Sequence, residues 1–367
     1  MRFLLSIFII CTSLSGYTQM QDTLTAIPIG DTAIKNVKTI AVPIVFYTPE
    51  TSGAFGAGTQ IFFKTNPVFK SGKLSNIFGT FIYTLNNQLI IQGASKLFFN
   101  QDRFALDAKI KYQVFPTQFW GIGGNTQDIA EENFNQTETF ITASLLKQLP
   151  QFVNFGFQFT FANYDVTEVD SGGILDADTV NGSSGARLMG LGVVFNVDTR
   201  DNYFSPLRGG LYQFQTNFTS KVMASTHSFN SFQIDLRKYL KLPRKQVLAL
   251  QFYTRLTFGD APFQARAIYG GADLARGYFR GRFIDDHLYV LQAEYRFPIA
   301  SRWEMAAFVL TGNVGNALDG FDSPNKSSFG FGPRYFISKN NRSALRLDIG
   351  FNSYGGSGIY FGVNEAF

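Results

Sequence analysis

Ala344-Leu345-Arg346-Leu347-Asp348-Ile349-Gly350-Phe351 decides the fold. Leu345, Leu347, Ile349 and Phe351 share one parity, while Arg346, Asp348 and Gly350 share the other. Successive side chains of a strand point to opposite faces, so this segment puts charge on one face and hydrocarbon on the other. The same reading holds for Asp107, Lys109 and Lys111 against Leu106, Ala108, Ile110 and Tyr112. It holds again for Gln233, Asp235 and Arg237 against Phe232, Ile234 and Leu236. A third case sets Gln292, Glu294 and Arg296 against Leu291, Ala293, Tyr295 and Phe297. An Arg or Lys on a lipid face near the bilayer midplane costs about 2–4 kcal/mol, so the charged faces line an interior, where they pair with one another or meet a ligand.

Composition agrees with a barrel in lipid. The 41 Phe, 16 Tyr and 35 Gly suit an outward apolar band with aromatic girdles and strands that curve closely past one another. Mean hydropathy is −0.01, and beyond the N-terminus no window offers the roughly 18 consecutive apolar residues of a spanning helix. The formal charge of +5 becomes +4 when Arg2 is subtracted, and the basic residues are scattered, which excludes nucleic acid as a partner.

Residues 1–20 read as a secretory signal peptide: Arg2, an apolar run from Phe3 to Cys11, then small and polar residues. Ile10 stands where a small residue would precede a lipidated cysteine. Cys11 is the one cysteine, so the exported chain is expected to carry neither disulfides nor thiol chemistry. A short periplasmic segment follows at 21–36, and the barrel domain runs over 37–367.

Alternation and turn residues predict sixteen strands, at 38–47, 53–63, 76–84, 87–99, 103–112, 137–147, 152–163, 186–198, 209–220, 226–237, 246–259, 287–297, 303–312, 327–336, 342–352 and 358–366. Inner turns are mostly short, whereas long outer loops fall at 113–136, 164–185 and 259–286. That asymmetry is the one outer-membrane barrels show. The fold expected is all-β, a sixteen-stranded antiparallel transmembrane barrel in the bacterial outer membrane.

The run Gly270-Gly271-Ala272-Asp273-Leu274-Ala275-Arg276-Gly277-Tyr278, followed by Arg280-Gly281, resembles the sixth extracellular loop of the Omp85 superfamily, the BamA/TamA-like proteins also called bacterial surface antigen D15. Asp198-Thr199-Arg200-Asp201-Asn202 resembles that family's periplasmic turn between strands eight and nine. Phe46-Tyr47-Thr48-Pro49-Glu50-Thr51 resembles its opening hairpin, and Phe119-Trp120-Gly121-Ile122-Gly123-Gly124-Asn125 its third outer loop. The final strand, with Ile359, Phe361, Val363 and Phe367 in one parity, looks like a C-terminal assembly signal. The resemblance covers about residue 40 onward. It implies a long sixth loop folded into the lumen and anchored by Arg276, Gly277 and Tyr278, and assembly by the barrel-assembly machinery. It also implies envelope proteins as partners, outer-membrane lipid as surroundings, and no cofactor.

Two departures from the family pattern shape the expectations. Its strand thirteen carries an Asp able to pair the loop arginine; here Phe308-Val309-Leu310-Thr311-Gly312-Asn313 has Leu310 at that place. Arg276 then needs another carboxylate, and Glu294 and Asp348, with Arg346 beside them, are the candidates. The stretch 21–36 is also too short for a POTRA module. The function expected is outer-membrane protein insertion, or polypeptide or lipid translocation, through a lateral seam between first and last strands, where Pro43 removes a ladder hydrogen bond. The alternative is a passive or gated pore, or a barrel serving another envelope protein. Enzymatic activity is not expected: His227, Ser228, Asp285, Asp286 and His287 lack a nucleophile elbow. With two histidines no metal site is expected, and the acidic residues Asp165, Glu168, Asp170, Asp176 and Asp178 read as loop solvation, calcium being the alternative without regular spacing.

Overall fold

Strict alternation of buried and exposed side chains along each segment builds eighteen strands in a computed structural model that describes residues 37–65, 73–318, 320–321, 323–338 and 342–367. The signal peptide expected at 1–20 and the periplasmic segment expected at 21–36 lie outside the described residues. The strands are β1 (Lys38–Thr48), β2 (Ser52–Phe63), β3 (Ser75–Thr84), β4 (Leu89–Phe99), β5 (Phe104–Phe119), β6 (Glu132–Leu149), β7 (Val153–Val169), β8 (Ala186–Asp198) and β9 (Gly209–Thr219). They continue as β10 (Phe229–Lys241), β11 (Val247–Gly259), β12 (Ala267–Tyr269), β13 (Phe283–Asp285), β14 (His287–Pro298), β15 (Trp303–Gly315), β16 (Lys326–Ser338), β17 (Ser343–Asn352) and β18 (Ser357–Val363). Sixteen close into one antiparallel barrel, in which β11 pairs with β14 and β18 returns to β1. The other two, β12 and β13, form a small hairpin within the long connection 260–286, here called the plug loop.

Outward positions are apolar and open: Phe81 is 55% exposed, Val309 58% and Phe329 59%. Lipid covers such a band at no cost, and unpaired backbone in hydrocarbon is what closure avoids. Near the inner mouth Trp303 packs on Tyr335 with ring centroids 4.9 Å apart, part of an aromatic girdle.

Interior polarity is uneven. The expected charged lining holds on β10 and on β14 to β17, where Asp235, Arg237, Glu294, Arg296, Arg334, Arg346 and Asp348 all turn inward and are buried. On β1 to β5 the inward side chains include Ile44, Phe46, Phe62, Phe78, Ile82, Ile90 and Phe115, packed as one cluster. That wall of the lumen is mixed rather than polar throughout: the cluster is interleaved with buried Gln60, Thr80, Gln92 and Gln113, and Asp107 and Lys111 of β5 keep the charged lining expected of them.

Three boundaries also differ. β5 and β6 pair without a break out to Phe119↔Glu132, so the loop expected over 113–136 contracts to 120–131. β7 likewise continues to Val169 against β6, with a bulge at Asn135/Gln136. The Gln, Asn and Thr there read as loop because both faces of a strand standing in water can be polar. Finally, β18 stops at Val363 rather than near residue 366, because Asn364 takes a left-handed backbone with φ 64°. Ile359 keeps the outward parity and Phe361, its neighbour on that face, pairs with Tyr47, whereas Val363 and Phe367 are buried. Phe367 therefore leaves the parity expected of it and packs with Tyr239, Val247, Ala249 and Ala366 at the inner mouth.

The seam is the thinnest join. β1 and β2 are in register over eleven pairs, from Lys38↔Phe62 to Thr48↔Ser52, whereas β1 and β18 share one, Tyr47↔Phe361.

Candidate functional site

Glycine lets the plug loop reach the barrel wall. Gly277, with φ 103°, lies against Gly350 of β17, where a Cβ would stand 2.9 Å from the Gly277 nitrogen and 3.1 Å from the Arg276 carbonyl carbon. In that close seat the Gly277 N–H donates to Tyr360 Oη at 2.9 Å, and Asn352 Nδ2 donates to the Gly277 carbonyl at 2.6 Å. Ser328 Oγ donates to the Arg276 carbonyl. Tyr278 Oη donates to the Ser327 carbonyl at 3.0 Å, and its ring packs edge-on against Tyr269 at 5.2 Å.

Arg276 is fully buried. Its Nη1 lies 2.7 Å from Glu294 Oε2 and 2.6 Å from Asp348 Oδ2, and its guanidinium carbon stands 3.6 Å from the centre of the Phe308 ring. Phe308 is the cross-strand partner of Glu294. The two carboxylates named from the sequence thus both meet Arg276, one from β14 and one from β17, while Leu310 is buried in the apolar cluster around Tyr269 and Tyr278. Arg346 pairs with Asp273 of the plug loop at 3.3 Å and approaches Asp348 at 3.8 Å.

Sequence reading placed Arg296 inside but missed two members of this network, Arg334 and Glu365. Arg334 contacts Asp348, reaches Glu294 at 3.3 Å and pairs with Glu365 at 2.9 Å. Arg296 lies 2.6 Å from Glu294 and 3.5 Å from Glu365. Arginines 276, 296, 334 and 346 thus face carboxylates of Asp273, Glu294, Asp348 and Glu365, a balanced set. Balance is what makes burial tolerable, since an uncompensated charge in a low-dielectric interior is expensive. Arg334 shares the inward parity of Gly330 and Gly332 and could have been read as lumenal; Glu365 could not, because only the bend at Asn364 brings it inside.

Glu365 carries the network to the inner mouth. Ser205 Oγ donates to Glu365 Oε1 at 2.9 Å, and Arg342 Nε donates to the Ser205 carbonyl at 2.8 Å. Ser205 belongs to the turn 199–208, whose sequence motif sets its shape. Arg200 forks onto Asp198, with Nη2 at 2.8 Å from Oδ2. Asp201 Oδ1 accepts from the Leu207 N–H at 2.9 Å, and Asn202 Oδ1 accepts from the Phe204 N–H at 2.8 Å and the Ser205 N–H at 3.0 Å.

At the outer mouth the plug loop meets two other loops. Arg282 Nη2 lies 2.6 Å from Asp128, Trp120 packs on Phe279 at 5.4 Å, and the Gly123 N–H donates to the Ile284 carbonyl at 2.7 Å. Glu50, in the turn between β1 and β2, accepts the Arg280 N–H at 2.6 Å, and burial pushes its carboxyl above the usual value. Of the other residues weighed from the sequence, His227 contacts Thr226 and His287 contacts the Thr257 N–H, on separate segments. Asp165, Glu168 and Asp170 accept from Asn163, Asn135 and Asn133 along the protruding β6–β7 hairpin.

The sequence pattern of the Omp85 superfamily domain matches residues 80–367. Among solved structures the chain is similar to BamA from Haemophilus ducreyi lacking POTRA domains 1-3, with TM-score 0.62 and 11% identity over 90% of this chain and 70% of that one. It is also similar to CdiB from Acinetobacter baumannii, with TM-score 0.54 and 11% identity over 89% of this chain; it spans 59% of that protein. No functionally curated protein matches the sequence.

Proposed function

The chain belongs to the Omp85 superfamily and is a barrel of the bacterial outer membrane, and on that premise we propose that it acts as an insertion or translocation factor whose β1–β18 seam opens sideways. The observation that carries this reading is the single registered pair, Tyr47↔Phe361, joining the two strands, when neighbouring strands share long ladders. Few hydrogen bonds have to break for the edges to part, and an exposed strand edge is a template for an incoming strand. Pro43 of β1 supplies no N–H to the ladder, which weakens that edge further. On this reading the plug loop, seated by Arg276, keeps the lumen blocked while the seam works. Envelope proteins at the inner mouth would deliver the cargo.

The test is a reversible lock. Tyr47→Cys combined with Phe361→Cys places a disulfide across the seam of a chain whose sole cysteine, Cys11, lies in the signal peptide. In proteoliposomes, the oxidised double variant should fail to insert a model outer-membrane barrel, and reduction should restore insertion. Equal insertion by locked and reduced protein would overturn the reading. The pore reading makes a different prediction in planar bilayers, a large steady conductance, whereas a seated plug gives small, flickering currents.

A further inference from the structure

Beside the plug loop the lumen holds a cavity of about 290 Å³, near the lower end of the roughly 300–1,000 Å³ usual for small-molecule sites. Along one side of it Phe46 of β1, Phe115 of β5, Phe140 of β6 and Leu188 of β8 face inward, interleaved with Gln113 and the Lys111–Glu138 pair. A water-filled channel gains nothing from those apolar side chains.

The other side is cationic. Arg255 of β11 and Arg280 of the plug loop both line the cavity, and among the described residues neither guanidinium forms an ion pair with a carboxylate. Arg255 Nη2 donates to the Ala265 carbonyl at 2.9 Å. The stem of Arg280 lies over Gly271, and Glu50 takes its backbone N–H rather than its side chain. Tyr253, whose hydroxyl donates to Gln233 Oε1 at 3.1 Å, lines the cavity with both arginines. Arg237 is neutralised by Asp235 at 2.6 Å, and Lys111, also in the lining, by Glu138 at 2.8 Å. Neither Arg255 nor Arg280 sits at ion-pair distance from a carboxylate among the described residues, and the carboxyl nearest to Arg280, that of Glu50, is held toward its neutral form by burial.

We infer that this cavity binds an anionic amphiphile, its chain along Phe46, Phe115 and Phe140 and its carboxylate or phosphate head between Arg255 and Arg280. An oxyanion supplies the charge-assisted hydrogen bonds the two arginines lack, and the wall removes methylenes from water. Free fatty acid and phospholipid share this chemistry. The site goes beyond the seam reading and stands whether or not the seam opens.

The test uses the full chain in nanodiscs of zwitterionic lipid, with tritiated palmitate as probe. Palmitate should bind saturably, and Arg255→Gln and Arg280→Gln should each weaken it about tenfold or more, while lysine at either position retains most of the affinity. Displacement by lysophosphatidylglycerol at lower concentrations than by unlabelled palmitate would point to phospholipid as the source, the reverse order to free acid, and either supports the site; failure of excess unlabelled palmitate to displace the probe would overturn it. Hexadecanol binding as tightly as palmitate, inorganic phosphate competing equally well, or glutamine variants that fold and bind unchanged would overturn it. Photolabelling of the unaltered protein with a diazirine fatty acid provides an independent readout. Adducts on the peptides carrying Phe115 and Phe140 support the inference, whereas adducts confined to outward residues such as Phe81 and Val309 refute it.

Discussion

Gly350 on β17 lies so close to Gly277 of the plug loop that a Cβ at position 350 would stand 2.9 Å from the Gly277 nitrogen. Two backbones meet there without side chains between them. Gly350→Ala should push the loop off the wall and break the Gly277–Tyr360 hydrogen bond, at a cost of about 1–3 kcal/mol for overpacking. The folded band on semi-native electrophoresis should vanish at a lower temperature, and protease should cut within 270–281. Unchanged melting and cleavage would mean that the contact does not hold the loop.

Arg276 is held through Nη1 alone, its remaining guanidinium nitrogens making no hydrogen bond among the described residues. Arg276→Ala leaves Glu294 and Asp348 short of one cation, and breaking a buried pair costs about 3–5 kcal/mol. Because the contact is not a fork, Arg276→Lys should recover part of that loss, although a lysine cannot lie flat on the Phe308 ring. Thermal midpoints in detergent check the order, wild type above lysine above alanine.

Asn364, at φ 64°, turns the chain inward after β18. A β-branched residue is strained there by about 1–2 kcal/mol, so Asn364→Val should straighten the segment and withdraw Glu365 and Phe367 from the lumen. Asn364→Gly should be tolerated. If both variants melt alike, the bend is not what seats the tail.

Glu50 gives the plug loop a pH response. Burial raises its carboxyl above the ordinary 4.5, so its contribution to loop docking is complete below 4.5 and is lost as pH rises past the folded value. Loop proteolysis should therefore quicken from mildly acidic to neutral buffer. Glu50→Gln, which stays neutral throughout, should flatten the dependence; an identical slope in both proteins would rule Glu50 out as its source.

Much of this molecule is legible in residue order. Parity alone places Gln292, Glu294 and Arg296 inside and Val309 outside, because lipid and lumen impose opposite demands on alternate side chains. Where both sides of a strand see similar surroundings the signal fades. Ile44 and Phe46 alternate with Val45 and Tyr47, apolar on both faces, so the apolar part of the inner wall is invisible to parity. Gln118, Asn133 and Asn135 lie on the part of the β5–β6 pair that protrudes beyond the apolar band, and they read as loop. Glu365 depends on one backbone torsion at Asn364, which alternation cannot encode. The Arg276 neighbourhood was open to inference because a buried guanidinium demands a carboxylate and few inward ones lie near.

The path from Arg276 through Asp348, Arg334 and Glu365 to Ser205 ties the loop of one mouth to the turn of the other. During assembly Arg334 and Arg296 lack Glu365 until β18 has arrived and the chain behind it has bent inward. Sealing the wall and seating its stopper are therefore coupled through charge: without the inward bend, four interior arginines would face three carboxylates.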